Sequence, residues 1–292
     1  MTNTLIRTAL APKTQEAYKR SLKSYLEFAK KYGIATNLPI KVSHLSYFLT
    51  YLHNRGAPAS SLASICSGIS YFHKFYKVPN PSQDFVIQQI IVAARKQPRP
   101  SDKRRPITLT ILKMLINALN QKPDMFKRPC LFGAMFTIAF HFGLRISEIT
   151  DSEHNLRLQD IVISSSCLKI NFRSYKHSPE HPNSHEIKAS TSLVCPVRLL
   201  SDYIKLRGLF PGPLFVIDKN PVKKAVFALL LKQALQDCNI PASNFTSHSF
   251  RIGAGSYWAQ QGYSDTQIRL LGRWKSNAMV SYLRGSINHP PA

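Results

Sequence analysis

The sequence predicts a mainly α-helical protein with a small antiparallel β-insert. Apolar residues recur at the three- and four-residue spacing of amphipathic helices over most of the 292 residues. Alternation of apolar and polar residues, which is typical of strands, is confined to residues 156–163, 167–173 and 185–190. The segment RKQPRPSDKRRP, residues 95–106, has three prolines and no apolar periodicity, which indicates an extended linker. We therefore expect two helical domains, residues 1–94 and 107–292, with the β-insert in the second.

The first domain is predicted to be a small four-helix unit. Its helical patterns cover residues 18–29, 45–52, 62–72 and 86–93. Gly33, Gly56 and the turn VPNPS separate these patterns. Ser43 and Ser82 are the expected N-caps of the second and fourth helices, because a serine hydroxyl can accept from the first free backbone N–H groups.

In the second domain, two helices are expected before the strands and five after them. The predicted helices cover 109–120, 126–141, 196–207, 221–238, 248–261, 264–271 and about 276–284. No internal repeat or low-complexity segment interrupts this order. The strands therefore form an insert within a helical domain.

Charge indicates the kind of partner. The chain has 39 Lys and Arg against 15 Asp and Glu, a formal net charge of +24, which far exceeds what solubility requires. A membrane surface is the competing polyanion. However, no run of about eighteen apolar residues and no signal peptide is visible, and the basic residues are spread through both halves. Nucleic acid is the expected partner, without membrane association.

Both predicted domains are basic. Residues 1–106 hold 17 Lys and Arg and 4 Asp and Glu, or +13, which leaves 22 and 11, or +11, for residues 107–292. We therefore expect both domains to face one duplex. The linker supplies the predicted DNA contacts Arg99, Lys103, Arg104 and Arg105.

The cysteine and histidine patterns do not indicate a metal or cofactor. The five cysteines stand singly, without a C-x-x-C pair, so neither a disulfide framework nor a Cys-based zinc site is expected. We therefore expect the protein to work in a reduced intracellular compartment. His177, His181 and His185 recur every four residues, but Pro179 and Pro182 prevent them from sharing a helix face.

Two arginines, a histidine and a tyrosine point to phosphodiester chemistry. Arg145 follows an apolar helix in HFGLRISEI, and His248 and Arg251 share one helical face in HSFR. Arginines can hold the non-bridging oxygens of a phosphodiester, and the hydroxyl of Tyr282 in WKSNAMVSYLR can attack its phosphorus. Each element alone has an ordinary structural explanation, such as an Arg145 to Glu148 ion pair or a packed tyrosine. Their order and spacing favour a shared site.

That order resembles the tyrosine recombinase (phage integrase) family, closest in character to the Crypton, DIRS and Ngaro recombinases of mobile elements and to Cre. The family pattern is Arg, a hairpin Lys, His-x-x-Arg, His or Trp, then Tyr, and it falls here on Arg145, Lys176, His248, Arg251, Trp274 and Tyr282. Trp274 precedes Tyr282 by eight residues, whereas the family leaves nine. Arg273 has the family spacing but not the family residue. The GRW sequence resembles the form found in Cre and favours Trp274, whose indole is expected to donate to a phosphate oxygen or to pack on the helix of the nucleophile. Lys169 and Arg173 are nearby alternatives to Lys176, and Glu148 is expected to orient its neighbours.

The resemblance implies a helical core-binding domain, a catalytic domain, and metal-free DNA cleavage and rejoining through a 3′-phosphotyrosyl link. It implies four protomers on two double-stranded DNA sites, and recombination, integration or excision as the outcome. A nuclear location is expected for a eukaryotic mobile element, and an intracellular one otherwise. Two alternatives stay open: a topoisomerase of type IB that acts on one duplex, and a catalytically silent DNA-binding descendant.

Overall fold

A computed structural model of the chain describes residues 9–98, 102–121, 128–173 and 184–274. The chain divides into two compact units, residues 1–101 and 102–292. The fold is mainly helical with small antiparallel sheets, as the sequence predicts. No helix of the described parts is both long enough and apolar enough to cross a membrane.

The first unit is built from four α-helices within its described residues. They are α1 (Pro12–Lys31), α2 (Val42–Asn54), α3 (Ala59–Phe75) and α4 (Phe85–Lys96). Each contains one of the four predicted helical patterns, because the periodic apolar positions pack into one core that includes Tyr25, Leu45, Leu62 and Ile87. The last helix includes the first two residues of the segment predicted as a linker.

The predicted N-caps of this unit are wrong. Helix α2 begins one residue before Ser43, after Lys41, whose side chain makes no capping bond. Helix α4 is capped by Asp84, which accepts from the Val86 N–H at 2.8 Å. Ser82 instead lies in a 3₁₀ turn and donates to the Cys66 carbonyl at 3.2 Å. A carboxylate next to the helix start displaces the serine because it is the stronger acceptor.

Within its described residues, the second unit is a helical domain with two small sheets. Its described helices are α5 (Leu109–Gln121), α6 (Pro129–His141), α7 (Ile146–Ile149), α8 (Pro196–Arg207), α9 (Lys224–Asp237), α10 (Ser247–Gln260) and α11 (Asp265–Gly272). Its strands are β1 (Ile161–Ile163), β2 (Cys167–Asn171), β3 (Ser184–Lys188), β4 (Val216–Ile217) and β5 (Asn220–Pro221). The helix predicted at about 276–284 lies outside the described residues.

The β-insert is the antiparallel sheet β1-β2-β3. Ile161 pairs with Ile170, and Asn171 pairs with Ser184 where the hairpin opens. The first strand is shorter than the predicted 156–163, because the Arg157 N–H donates to the Asp160 carboxylate at 2.8 Å and closes a 3₁₀ turn over Leu158–Asp160.

Helix α6 is the centre of the second core. It is buried over Leu131–Phe140, which explains a sequence that is apolar on every face. Behind it the chain turns at Gly143, whose φ of +54° is the left-handed conformation that glycine adopts without a Cβ clash. Leu144 is buried next to that turn. This turn brings the chain to Arg145.

Candidate active site

Arg145 occupies the N-cap of the short helix α7. Its backbone N–H donates to Glu148 Oε2 at 2.6 Å, and its Nη1 lies 3.3 Å from Glu148 Oε1. Its Nη2 donates to the main-chain carbonyl of Arg273 at 3.1 Å. The side chain remains 40% exposed, whereas that of Glu148 is 9% exposed. Arg145 therefore combines an ion pair with Glu148 and a partly exposed side chain.

Glu148 binds the guanidinium groups of Arg145 and Arg273. Its Oε2 accepts from Arg273 Nη2 at 2.9 Å in addition to the Arg145 N–H. Burial pushes the pKa of this carboxyl upward, but the charge of Arg273, the backbone bond from Arg145 and the charges of Arg145 and Arg251 together hold the pKa below its ordinary value. Glu148 is therefore ionised at neutral pH, and it fixes the arginines around it.

Arg251 is held by the start of helix α10. Thr246 caps that helix by accepting from the His248 N–H, and the Thr246 N–H donates in return to Ser249 Oγ at 3.0 Å. Arg251 is 2% exposed and donates from Nη1 to the Gly143 carbonyl and from Nη2 to the Gly272 carbonyl. One guanidinium thus connects the turn after α6 with the end of α11.

His248 lies one turn before Arg251 and is half-buried. Burial is the main cause that lowers its pKa to about 4, and the charges of Arg104, Arg251 and Arg145 add to it, while Asp102 opposes them. These interactions place the imidazole in the same positive field as both candidate catalytic arginines. At neutral pH the imidazole is therefore uncharged.

Trp274 and Arg273, the two alternatives for the His or Trp position, point to different neighbours. The guanidinium carbon of Arg251 lies 4.4 Å from the Trp274 ring centroid. The Trp274 ring packs edge-on against Trp258, with 6.3 Å between the ring centroids. Trp274 is 8% exposed. The Arg273 side chain turns inward to Glu148, and its guanidinium carbon lies 3.8 Å from the Phe172 ring centroid. In this geometry Trp274 packs against Arg251 and Trp258, whereas Arg273 binds Glu148.

The structure brings Arg145, Glu148, His248, Arg251 and Trp274 together. Lys176, Tyr282 and Arg99 lie outside the described residues, so their roles stay predictions. Three of the predicted DNA contacts are described, and Lys103, Arg104 and Arg105 are all exposed. Arg104 forms a two-bond ion pair with Asp102, with both N···O distances at 2.9 Å.

The two alternatives to Lys176 occupy different settings. Arg173 pairs with buried Asp160 through an N···O distance of 2.6 Å. Lys169 lies in the middle of β2, opposite Glu186 on one side and Val162 on the other. Neither position coincides with the hairpin turn where the sequence places Lys176.

His185 is the described member of the His177, His181 and His185 set. Its ring packs against Phe142 at 5.0 Å and Trp258 at 6.4 Å between centroids. Burial, with the charge of Arg273 second, lowers its pKa to about 4. In the described part of the chain, no group of three His, Cys, Asp or Glu is arranged to hold a metal ion.

Sequence reasoning missed three parts of this site. The carbonyls of Gly143 and Gly272 are acceptors for Arg251, and Arg273 is an ion-pair partner of Glu148. Backbone acceptors have no residue signature. The contact between Arg273 and Glu148 had a partial signal, because an acidic residue close to Arg145 in a strongly basic chain is expected to pair with more than one basic side chain.

Comparison with known proteins identifies the class. Residues 2–78 match the family described as phage integrase, N-terminal SAM-like domain, and residues 108–286 match the phage integrase family. The chain therefore belongs to the phage integrase family, the tyrosine recombinases, and carries the catalytic domain of that family.

Relatives of this chain include tyrosine recombinase XerD of Staphylococcus saprophyticus, which is 28% identical over 98% of this chain and 96% of its own length. Two solved structures have a similar fold, each with a TM-score of 0.64 and 16% identity. XerH recombinase in a post-cleavage complex with palindromic difH matches 91% of this chain and 75% of its own. A lambda integrase dimer on a COC′ core site matches 100% of this chain and 77% of its own.

Proposed function

We propose that this protein cleaves and rejoins DNA strands in site-specific recombination or in transposon integration and excision. The observation that carries the proposal is the convergence of Arg145, Arg251 and His248, all held by α7, α10 and the end of α11. A buried arginine stabilises a charge best when other groups already fix its geometry. This arrangement suits the extra negative charge of a five-coordinate phosphorus.

The proposed step is a transesterification. The Tyr282 hydroxyl loses its proton to solvent water as its oxygen bonds to phosphorus, the bond from phosphorus to the 5′ oxygen breaks, and Lys176 protonates the departing 5′ oxygen and is reprotonated from solvent. Arg145, Arg251 and His248 stabilise the non-bridging oxygens, with Trp274 packed on Arg251. The 3′-phosphotyrosyl link keeps the ester energy, so the 5′ hydroxyl of another strand reverses the step without ATP, a metal or a cofactor.

Double-stranded DNA is the proposed partner. Both halves of the chain are basic, and Lys103 and Arg105 are exposed immediately before the segment that leads to the site. Four protomers on two DNA sites are the proposed assembly. XerH and lambda integrase were solved on DNA, the latter as a dimer. Residues 1–94 and 107–292 are the proposed core-binding and catalytic domains, joined by a basic linker.

The retained arrangement of Arg145, Glu148 and Arg251 favours an active enzyme over a silent DNA-binding descendant. Joining of two DNA segments distinguishes a recombinase from a topoisomerase of type IB, which reseals one duplex. A nuclear location stays a prediction of the mobile-element resemblance, and the relative named above is bacterial.

The test is the substitution Tyr282→Phe. The variant keeps the charge of the protein, so DNA affinity is expected to be unchanged, while covalent adducts with random genomic fragments disappear because the nucleophile is gone. Wild-type protein in EDTA serves as the matched control and is expected to keep cutting. Adducts that persist in Tyr282→Phe would refute the assignment, and sequencing the attached ends of wild-type adducts gives the target site.

A further inference from the structure

We propose that Arg273 is a positioning residue for Arg145 in the strand-transfer reaction, acting on it through Glu148 and through its own carbonyl oxygen. The inference rests on the proposed function. It assigns Arg273 a task different from that of the His or Trp that the family pattern places at nine residues before the tyrosine.

Arg273 is enclosed by protein. Its side chain is 1% exposed, and its Nη2 donates to Glu148 Oε2 at 2.9 Å. The guanidinium carbon lies 3.8 Å from the Phe172 ring centroid, so one face of the group is covered by an aromatic ring. In this setting the guanidinium acts on its protein neighbours Glu148 and Phe172.

The backbone of Arg273 explains how one residue reaches two targets. Its φ of 52° and ψ of 45° are left-handed, which is uncommon for a residue other than glycine. The turn is closed by the Arg273 N–H, which donates to Leu270 O at 3.0 Å, and by the Trp274 N–H, which donates to Arg269 O at 3.0 Å. In this turn the carbonyl of Arg273 accepts from Arg145 while its side chain binds Glu148.

Arg273 therefore closes a ring of contacts with Arg145 and Glu148. Glu148 accepts from the Arg145 N–H and Nη1, and Arg273 supplies the strongest attraction that keeps this buried carboxyl ionised. Without Arg273, burial of Glu148 is opposed by fewer charges, so Glu148 takes up a proton at a higher pH and holds Arg145 less firmly.

Other charged groups surround Glu148 and bear on its titration. Arg145 is the N-cap of α7, the helix that contains Glu148, and Arg251 belongs to α10. His185, in strand β3, lies beside Arg273. A small cavity next to Glu148 is lined by further titratable side chains, namely Glu153, His154, Arg157, Asp160 and Arg173. None of these residues is altered when residue 273 alone is changed, so a shift in the titration of Glu148 reports on the loss of Arg273.

The experiment measures the single-turnover rate of covalent adduct formation against pH, on a duplex carrying a site recovered from wild-type adducts. Arg273→Met is expected to lose roughly 100-fold in rate, because small displacements of a catalytic group cost that much, with duplex affinity unchanged. In a plot of rate against pH, the acid limb of this variant, where the rate falls as Glu148 takes up a proton, is expected to move to higher pH. Arg273→Lys, which keeps the charge, should restore the wild-type limb and part of the rate.

Glu148→Gln is the matched control, because a glutamine does not titrate. Adding Arg273→Met to Glu148→Gln is expected to produce no shift of the limb and little further loss of rate. A rate loss in Arg273→Met with the acid limb unmoved and no rescue by lysine would overturn the inference, and so would a wild-type rate. Failure of the wild-type protein to form any adduct would instead overturn the proposed function.

Discussion

Three histidines of the second unit are kept neutral by burial. The pKa values of His141, His185 and His248 are each lowered from 6.5 to about 4, with desolvation as the main cause. Between these pH values the unfolded chain binds protons that the folded chain excludes, so acidification from pH 6.5 to 4 favours unfolding. The stability contributed by these neutral rings is complete above pH 6.5 and is lost as the pH falls.

The substitution His185→Phe tests this linkage at one residue. His185 Nδ1 is buried without a hydrogen-bond partner among the described residues, and the ring lies between Phe142 and Trp258, so a phenyl ring is expected to be tolerated. The free energy of unfolding at pH 7 should stay close to wild type, and its decrease between pH 6.5 and 4 should become shallower. Urea titrations at several pH values measure both. His154→Gln, at a more exposed site, serves as control, and an equal change there would contradict the explanation.

The role of Lys176 is testable with a sulfur substrate. Lys176→Ala should slow cleavage of ordinary DNA strongly, because an alkoxide leaves poorly without a proton. A duplex with sulfur at the 5′ bridging position should be cut almost as fast as by wild type, since a thiolate leaves unprotonated. Arg145→Ala and Arg251→Ala should show no such rescue. If the sulfur substrate rescues Lys169→Ala or Arg173→Ala but not Lys176→Ala, the rescued position, and not residue 176, supplies the general acid.

At the scale of elements, helix α10 is fixed by a close backbone approach. A Cβ on Gly253 would lie 1.8 Å from the Ile107 carbonyl oxygen, and the Ile107 N–H donates to Ser249 O at 2.9 Å. The segment that follows the linker therefore lies directly on the helix that carries His248 and Arg251.

Gly253→Ala is expected to lower the free energy of unfolding by about 3 kcal/mol, because the backbone of residue 107 has to move. The matched control is Gly133→Ala in α6, where the new Cβ would meet Ile116 Cδ1 at 3.7 Å, an ordinary van der Waals distance. That variant should be neutral or more stable by up to about 1 kcal/mol, since alanine favours a helix. Thermal or urea unfolding of the two variants gives the comparison, and equal losses of stability would contradict it.

The helices were predictable from the sequence because each buries one periodic stripe, as α1 does with Tyr25 and Ala29. The cap at Asp84 and the two-residue strands β4 and β5 were not, since both depend on which neighbour the backbone meets after folding. At the site, order and spacing predicted the cluster of Arg145, His248 and Arg251. The inward turn of Arg273 could not be predicted, because a left-handed conformation at arginine carries no sequence signal.

At the scale of the whole molecule, the charge of +24 predicts affinity that falls steeply with salt. In the full chain, Lys13→Gln with Arg20→Gln changes a serine-lined groove between α1 and α3, and Lys103→Gln with Arg105→Gln changes the linker end. Each pair is expected to reduce the slope of log affinity against log salt by about 2, or roughly 0.9 for each phosphate that is no longer neutralised.

Lys205→Gln is the control for the salt measurement, because its ammonium already lies 3.3 Å from the Asp202 carboxylate. Fluorescence anisotropy on a duplex oligonucleotide at several salt concentrations gives the slopes. A slope that changes only for the linker pair would mean that the groove of the first unit does not bind the phosphates.

Retention of glycine at position 272 is expected to distinguish active from inactive descendants of this protein. The Gly272 carbonyl accepts from Arg251, and a Cβ there would lie 1.8 Å from the Trp274 ring. Any side chain at this position therefore displaces the indole from Arg251. A descendant released from selection for strand transfer could lose this glycine early while keeping its arginines and its basic surface. In a set of diverging copies, glycine at this position would mark the lineages that still rearrange DNA.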